Sequence, residues 1–296
     1  MDAALAEAIR ATALDVDAAF DALLAVPYDP RAQLYAAMRH AAMNGGKRLR
    51  PLLVLASSAL FDVPRSAALR VGMAIEAIHV YSLIHDDMPC MDDDDLRRGK
   101  PTVHKLFDEA TAVLAGDSLH ALAFEWLADE ATHPDAALRC DLVVALARAA
   151  GPAGMAGGQM MDLTAETQAF DLPMVHQLQA LKTGALIAFS VEAGAILGRA
   201  APQERSALAT YAEKVGLTFQ IADDLLDIEG NAALAGKALH KDVAAGKATF
   251  VSLLGVDAAR AQAQKLVDEA IEKLQQFGES AALLRAIARF TLERDR

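Results

Sequence analysis

Cysteine and aromatic residues are scarce in this chain. Two cysteines, Cys90 and Cys140, occur in 296 residues. That is too few for a disulfide framework and agrees with a reducing compartment. Aromatics make up 5% of the chain, with a single tryptophan. β-Branched runs are sparse, and no segment alternates apolar and polar residues as a half-buried strand does. There is no fixed-period repeat, low-complexity tract or long linker. No uninterrupted apolar run reaches the length of a bilayer span. Residues Met1 to Arg10 carry acids early and lack the apolar core of a secretion signal. Positive charge is in deficit, with 28 Lys and Arg against 40 Asp and Glu and a net charge of −12. A generic nucleic-acid binder needs a basic face, so no nucleic-acid partner is expected. Catalytic signatures are missing too. No Gly-x-Ser-x-Gly elbow and no His-Glu-x-x-His helix occur, so nucleophilic and zinc hydrolysis lack support. Gly230 to Gly236-Lys237 is not a phosphate-binding Walker loop, because Lys237 is followed by Ala238. A protein without membrane spans, acting in the cytoplasm, is expected.

Helix formers are abundant instead. The apolar fraction is 54%, dominated by Ala and Leu. Apolar positions recur at helical spacing almost throughout, as in the stripe Val71, Ile75, Ile78 and Tyr81. The pattern predicts helices over 2–25, 31–44, 51–61, 66–88, 108–130, 135–150, 153–166, 173–198, 203–229, 247–254, 257–276 and 280–294. Proline and glycine punctuate them. The expected fold is all-α, a large helical bundle forming one domain over 1–296. Helix 173–198 is apolar on most faces and belongs in the middle of such a bundle.

Six acids lie between Asp86 and Asp95. Asp86 and Asp87 end an apolar helix, Pro89 disfavours its continuation, and Asp92 can therefore turn back towards Asp86. A second cluster, Asp223, Asp224 and Asp227, lies in another apolar helix after Gln220. Asp223 and Asp227 are i, i+4 neighbours there. Like charges so close repel, and Asp is a poor helix former. A divalent cation reverses that cost. Mg²⁺ takes oxygen ligands and is held by one or two carboxylates together with substrate phosphates. Each cluster alone can also be read as a solvated acidic face. Their matched design favours metal binding.

Basic residues answer these acids. Gly45-Gly46-Lys47-Arg48-Leu49-Arg50-Pro51 leads into a helix, and Lys47 and Arg50 beside its N-terminus form a natural anion site. Arg97 and Arg98 follow the first acidic cluster. Lys182 interrupts an apolar helix, where a lone Lys is costly unless paired. Lys237 and Lys247 follow the second cluster. Arg48, Lys100 and Lys105 read as ordinary solvated residues. His79 lies on the Asp86 stripe with Ser82 between. Gly157-Gly158-Gln159 with Asp162 marks close helix packing or a polar site.

These residues, in this order, resemble the trans-polyprenyl diphosphate synthase family. The likeness runs from Gly45 to about Leu254 and includes Lys182-Thr183-Gly184 and Gly246-Lys247. It implies the isoprenoid synthase bundle with a central apolar cavity, commonly a homodimer, and Mg²⁺ as cofactor. Three ions per site are implied, with Mn²⁺ as a substitute. Asp86 and Asp92 would hold metal from one side and Asp223 and Asp227 from the other. Arg97, Lys182, Lys237 and Lys247 would hold an allylic diphosphate. Lys47, Arg50, His79 and Arg98 would hold isopentenyl diphosphate. Thr183 and Gln220 would face the allylic carbon. One departure is His240, where the family often has Gly before Lys241-Asp242.

Product length is expected to be set along the helix ending at Asp86. Tyr81 lies five residues earlier, about 7.5 Å along the axis, with Ser82 next to it. Tyr81 and the Met88–Met91 spacer resemble bacterial members that make C15 farnesyl diphosphate from dimethylallyl and geranyl diphosphates. A C20 geranylgeranyl synthase is the near alternative. A terpene cyclase would not need the second anion site. A non-catalytic partner subunit would be expected to lack an Asp cluster or its basic residues, and a cation buffer leaves Lys182 unexplained.

Overall fold

The chain is described from a computed structural model over residues 2–229 and 248–293. Helix α1 (Ala3–Leu23) starts where Asp2 accepts from the Ala4 amide, and it buries Leu5, Val16 and Phe20 on one stripe. Helices α2 (Ala32–Ala42) and α3 (Leu49–Ser58) follow, the latter extended by a 3-10 turn over Ala59–Phe61. Helix α4 (Arg65–Asp86) is buried along most of its length, from Ala67 to Ile84. Next come α5 (Val103–Leu106), α6 (Glu109–Ala128), α7 (Ala136–Ala150) and α8 (Met155–Ala165). Then come α9 (Leu172–Gln179), α10 (Ala185–Leu197) and α11 (Pro202–Glu229). Helices α12 (Phe250–Leu254), α13 (Val256–Lys273) and α14 (Ala282–Glu293) close the described fold. Part of the acidic excess is used at helix starts. Asp108, Asp135 and Asp171 accept from the amides of Thr111, Ala137 and Met174.

The expected all-α architecture is observed, with three departures. First, a two-stranded antiparallel hairpin, β1 (Leu96–Arg97) and β2 (Lys100–Pro101), pairs Leu96 with Pro101 and Arg97 with Lys100. Its turn residues Arg98 and Gly99 both have positive φ (53° and 76°), the geometry that closes tight hairpins. Two-residue strands are too short to show an alternating pattern. Second, α5 is a single turn. Third, the expected helix 173–198 is divided by a π turn over Ala180–Gly184.

Among the described residues, three apolar clusters hold the helices together. Phe20, Met38, Ile75, Ile78, Leu119, Leu142 and Phe189 join α1, α2, α4, α6, α7 and α10. Leu53, Val191, Tyr211 and Leu284 join α3, α10, α11 and α14. Val175, Ile221, Phe250 and Leu266 join α9, α11, α12 and α13. Each fully buried Ile, Leu or Phe contributes about 1.5–3 kcal/mol. By length and composition, α4 and the stretch Leu172–Leu197 could cross a membrane. Both carry charged residues, and most of each is buried inside the bundle, the position of a core helix.

Candidate active site

The first acidic arm is built by the end of α4. After Pro89 the chain reverses, and the Asp92 amide donates to the Asp86 carbonyl at 2.8 Å. The Asp94 amide donates to the Asp87 carbonyl at 3.2 Å, so the loop folds back on the last turn of the helix. Burial pushes the Asp86 carboxyl up to about 6. The charge of Lys182 opposes that rise, and the negative charge of Asp92 adds to it. Asp87 is 3% exposed and accepts from Arg97 Nε at 2.7 Å and Nη2 at 2.6 Å. Burial raises its pKa as well, with Arg97 acting against the rise.

The second arm is α11. Asp223 and Asp227 are half-buried on one face. Asp224 is 5% exposed and its Oδ2 accepts from the Phe250 amide at 2.8 Å, which ties α11 to the start of α12. Gln220 Nε2 donates to Gln179 Oε1 at 2.6 Å.

The π turn lies between the arms. Such turns inside α-helices are frequently found at functional sites. Here the turn carries Lys182 and Thr183. Lys182 Nζ donates to Asp162 Oδ2 on α8 at 2.8 Å, so its partner is a carboxylate from the Gly157-Gly158-Gln159 helix. Gly158 allows that approach, because a Cβ there would lie 2.2 Å from the Lys182 backbone nitrogen. On the other side, a Cβ at Gly216 of α11 would lie 3.2 Å from the Gly184 Cα. Gln159 Nε2 is buried and has no hydrogen-bond partner among the described residues.

The basic side is formed by the loop before α3, by α4 and by the hairpin. His79 is half-buried, and burial holds its pKa well below the ordinary imidazole value. Arg50, Arg98, Arg97 and Arg48 add to that shift, so four guanidinium groups bear on one ring. A shallow cleft, open to solvent, is lined here by His40, Asn44, His79, Asp87, Arg97 and Arg98 among others. Lys47 is exposed, with its Nζ 4.8 Å from the Phe290 ring centroid. Arg48 corrects the sequence reading. It is 3% exposed and ion-paired to Glu76 at 2.9 Å and Asp17 at 2.6 Å. Lys100 and Lys105 are exposed as expected.

Tyr81 is in edge-to-face contact with His120 of α6, with centroids 5.0 Å apart. His120 meets Phe124 in turn at 5.1 Å. His120 and Phe124 escaped the sequence reading, although their i, i+4 spacing on one helix was visible. The Ser82 hydroxyl donates back to the His79 carbonyl at 2.9 Å, within its own helix. Asp93, Asp95 and His104 offer ligand atoms within 4.8 Å of one another, and Lys105 Nζ lies 2.8 Å from Asp95. Lys237, His240 and Lys247 lie outside the described residues.

Residues 31–289 match the family model described as Polyprenyl synthetase. The chain belongs to the polyprenyl synthetase family. It is 44% identical over 265 residues to a farnesyl diphosphate synthase of Escherichia coli (strain K12), covering 88% of each chain. It is 43% identical over 266 residues to a chloroplastic geranylgeranyl pyrophosphate synthase of Catharanthus roseus, covering 89% of this chain and 74% of that one. Among solved structures it resembles an FPP/GFPP synthase from Zymomonas mobilis, with a TM-score of 0.90 and 57% identity over 99% of this chain and 100% of that one. This polyprenyl synthetase is therefore a prenyltransferase of isoprenoid biosynthesis with the all-α isoprenoid synthase fold. Its relatives carry both farnesyl and geranylgeranyl names, so kinship does not fix the product.

Proposed function

We propose that this chain condenses isopentenyl diphosphate with dimethylallyl diphosphate and then with geranyl diphosphate, ending at farnesyl diphosphate (C15). The observation that carries the reading is the aromatic stack of Tyr81, His120 and Phe124, five residues before Asp86 on α4 and across on α6. A chain growing from the acidic end of α4 along that helix meets these rings.

The donor chemistry fits magnesium. Asp86, Asp92, Asp223 and Asp227 supply oxygen alone, and the Asp86 carboxyl, pushed up to about 6 by burial, is a site that a cation relieves. Three ions per site are proposed, with Mn²⁺ as a substitute. When bound, Mg²⁺ supplies charge neutralisation for the diphosphate leaving group. Arg97, Lys182, Lys237 and Lys247 bind the allylic diphosphate. Lys47, Arg50, His79 and Arg98 bind isopentenyl diphosphate, with His79 as a neutral hydrogen-bond donor. Thr183 and Gln220 face the allylic carbon as its C–O bond breaks. The isopentenyl double bond attacks that carbon, and a proton is lost to the departing diphosphate, so no side-chain base is required. Apolar walls exclude the water that would trap the cation.

The whole of 1–296 acts as one polyprenyl synthase domain, as a homodimer in the cytoplasm. The geranylgeranyl (C20) alternative rests on relatives of that name. Diphosphate release separates an enzyme from a silent partner subunit. Release is expected only when isopentenyl diphosphate, an allylic diphosphate and Mg²⁺ are all present. No release from the complete mixture would end this reading.

A further inference from the structure

The seven residues from Asn44 to Arg50, a turn running into the start of α3, carry two proposed isopentenyl diphosphate ligands, Lys47 and Arg50. Between them Arg48 is buried. Its backbone sits in the left-handed region (φ 49°, ψ 41°), which a non-glycine residue adopts when its surroundings hold it there. The Arg48 side chain is 1% exposed and reaches three elements at once. Nη1 donates to Glu76 Oε1 of α4 at 2.9 Å. Nη2 donates to Asp17 Oδ1 of α1 at 2.6 Å and to the Ala42 carbonyl, in the last turn of α2, at 2.5 Å. The guanidinium carbon is also 6.0 Å from the Phe20 ring centroid. Nothing in this arrangement lets Arg48 touch a ligand.

The turn that Arg48 holds is the seat of the hairpin arginines. Arg98 Nη1 donates to the Gly45 carbonyl. Gly46, at φ 116°, lies directly under that guanidinium, and a Cβ there would fall 2.6–2.9 Å from its atoms. Asn44 Nδ2 donates to the Arg97 carbonyl at 3.0 Å. Glu76 closes the loop of contacts. It sits three residues before His79 on α4, pairs with Arg48, and bears electrostatically on Arg98. The basic turn and the hairpin are thus one built unit, anchored from beneath by a buried ion pair.

We infer that Arg48 is a positioning residue for isopentenyl diphosphate, acting through the Asn44–Arg50 turn to place Lys47, Arg50 and Arg98. The inference rests on the proposed assignment of that pocket. It predicts a selective defect in one substrate site. Lys cannot reproduce a forked guanidinium that serves Glu76 and Asp17 together, so Arg48→Lys is a partial rescue. Arg48→Met alone leaves Glu76 buried without its partner and is at risk of misfolding. The double variant Arg48→Met/Glu76→Gln avoids the lone buried charge.

The test measures, for wild type, Arg48→Lys and the double variant, the KM of each substrate and the melting temperature. Isothermal titration of isopentenyl diphosphate in EDTA reports the pocket without turnover. The double variant is expected to raise both the isopentenyl diphosphate KM and its metal-free Kd by about tenfold or more. The allylic KM should stay within about twofold, with Arg48→Lys falling between. Equal shifts in both KM values, or an unchanged Kd, would overturn the inference and leave Arg48 a stabilising residue only. Absence of metal-free binding by the wild type would overturn it too. A wild type without prenyl transfer would defeat the functional reading separately, and the Kd comparison would still decide the role of Arg48.

Discussion

Lys182 and Asp162 are joined at 2.8 Å across two helices, and the same Lys182 charge opposes the rise in the Asp86 pKa. One ammonium group on a π turn is therefore held by an acid on α8 while it faces the acids at the end of α4. Asp162→Asn should free Lys182 without removing it. The expected result is an allylic KM raised about tenfold, with the isopentenyl KM within about twofold. Steady-state kinetics with each substrate varied in turn checks this. Equal loss in both would show that Asp162 does not act through Lys182.

The aromatic stack predicts a graded change in product length. Tyr81→Ala should extend products beyond C15. The double variant Tyr81→Ala/His120→Ala should extend them further, because His120 and Phe124 stand behind Tyr81. His120→Ala alone should leave C15 dominant. Chromatography of the dephosphorylated products checks the order. Unchanged C15 in the double variant would remove the stack as the limit.

A pH dependence follows from Asp86. Its folded pKa, about 6, lies above the ordinary carboxylate value of 3.8. The folded state therefore binds the proton more tightly. That contribution to stability is fully present below 3.8 and is lost as pH rises through about 6. Asp86→Asn, measured in EDTA, should raise the melting temperature at pH 7.5 and abolish activity. The corresponding gain is on the order of 2 kcal/mol and should vanish near pH 4. A gain that is the same at both pH values would contradict the assignment.

Much of the fold was legible because helical periodicity is strong where Ala and Leu line one face. The reversal of Asp92 onto Asp86 was legible as well, since Pro89 forces the chain out of the helix. The π turn was hidden, because residues 173–198 are apolar on most faces and one inserted residue does not disturb such a pattern. The hairpin was hidden by its two-residue strands. Arg48 was misread for a different reason. Among Lys47, Leu49 and Arg50, nothing local marks the left-handed backbone that turns it inward, and its partner Glu76 lies 28 positions away. An acid in the middle of the apolar α4 was the available signal. The functional roles of the basic residues came from resemblance and not from spacing.

Outside the site, the fully buried Tyr211 donates its hydroxyl to the Leu284 carbonyl at 2.7 Å, joining α11 to α14. Burial raises its pKa, so the phenol stays protonated and remains a donor. Tyr211→Phe leaves that carbonyl without this donor and should cost about 1–3 kcal/mol of stability. Denaturant unfolding measures the loss, and kcat should be unchanged. A large kcat effect would place Tyr211 in the site's support.

The stoichiometry of diphosphate release with excess isopentenyl diphosphate and Mg²⁺ tests the central claim most directly. A C15 synthase releases two diphosphates per dimethylallyl diphosphate, one per geranyl diphosphate and none from farnesyl diphosphate. That is the result predicted here. Release from farnesyl diphosphate, with mainly C20 product, would contradict it.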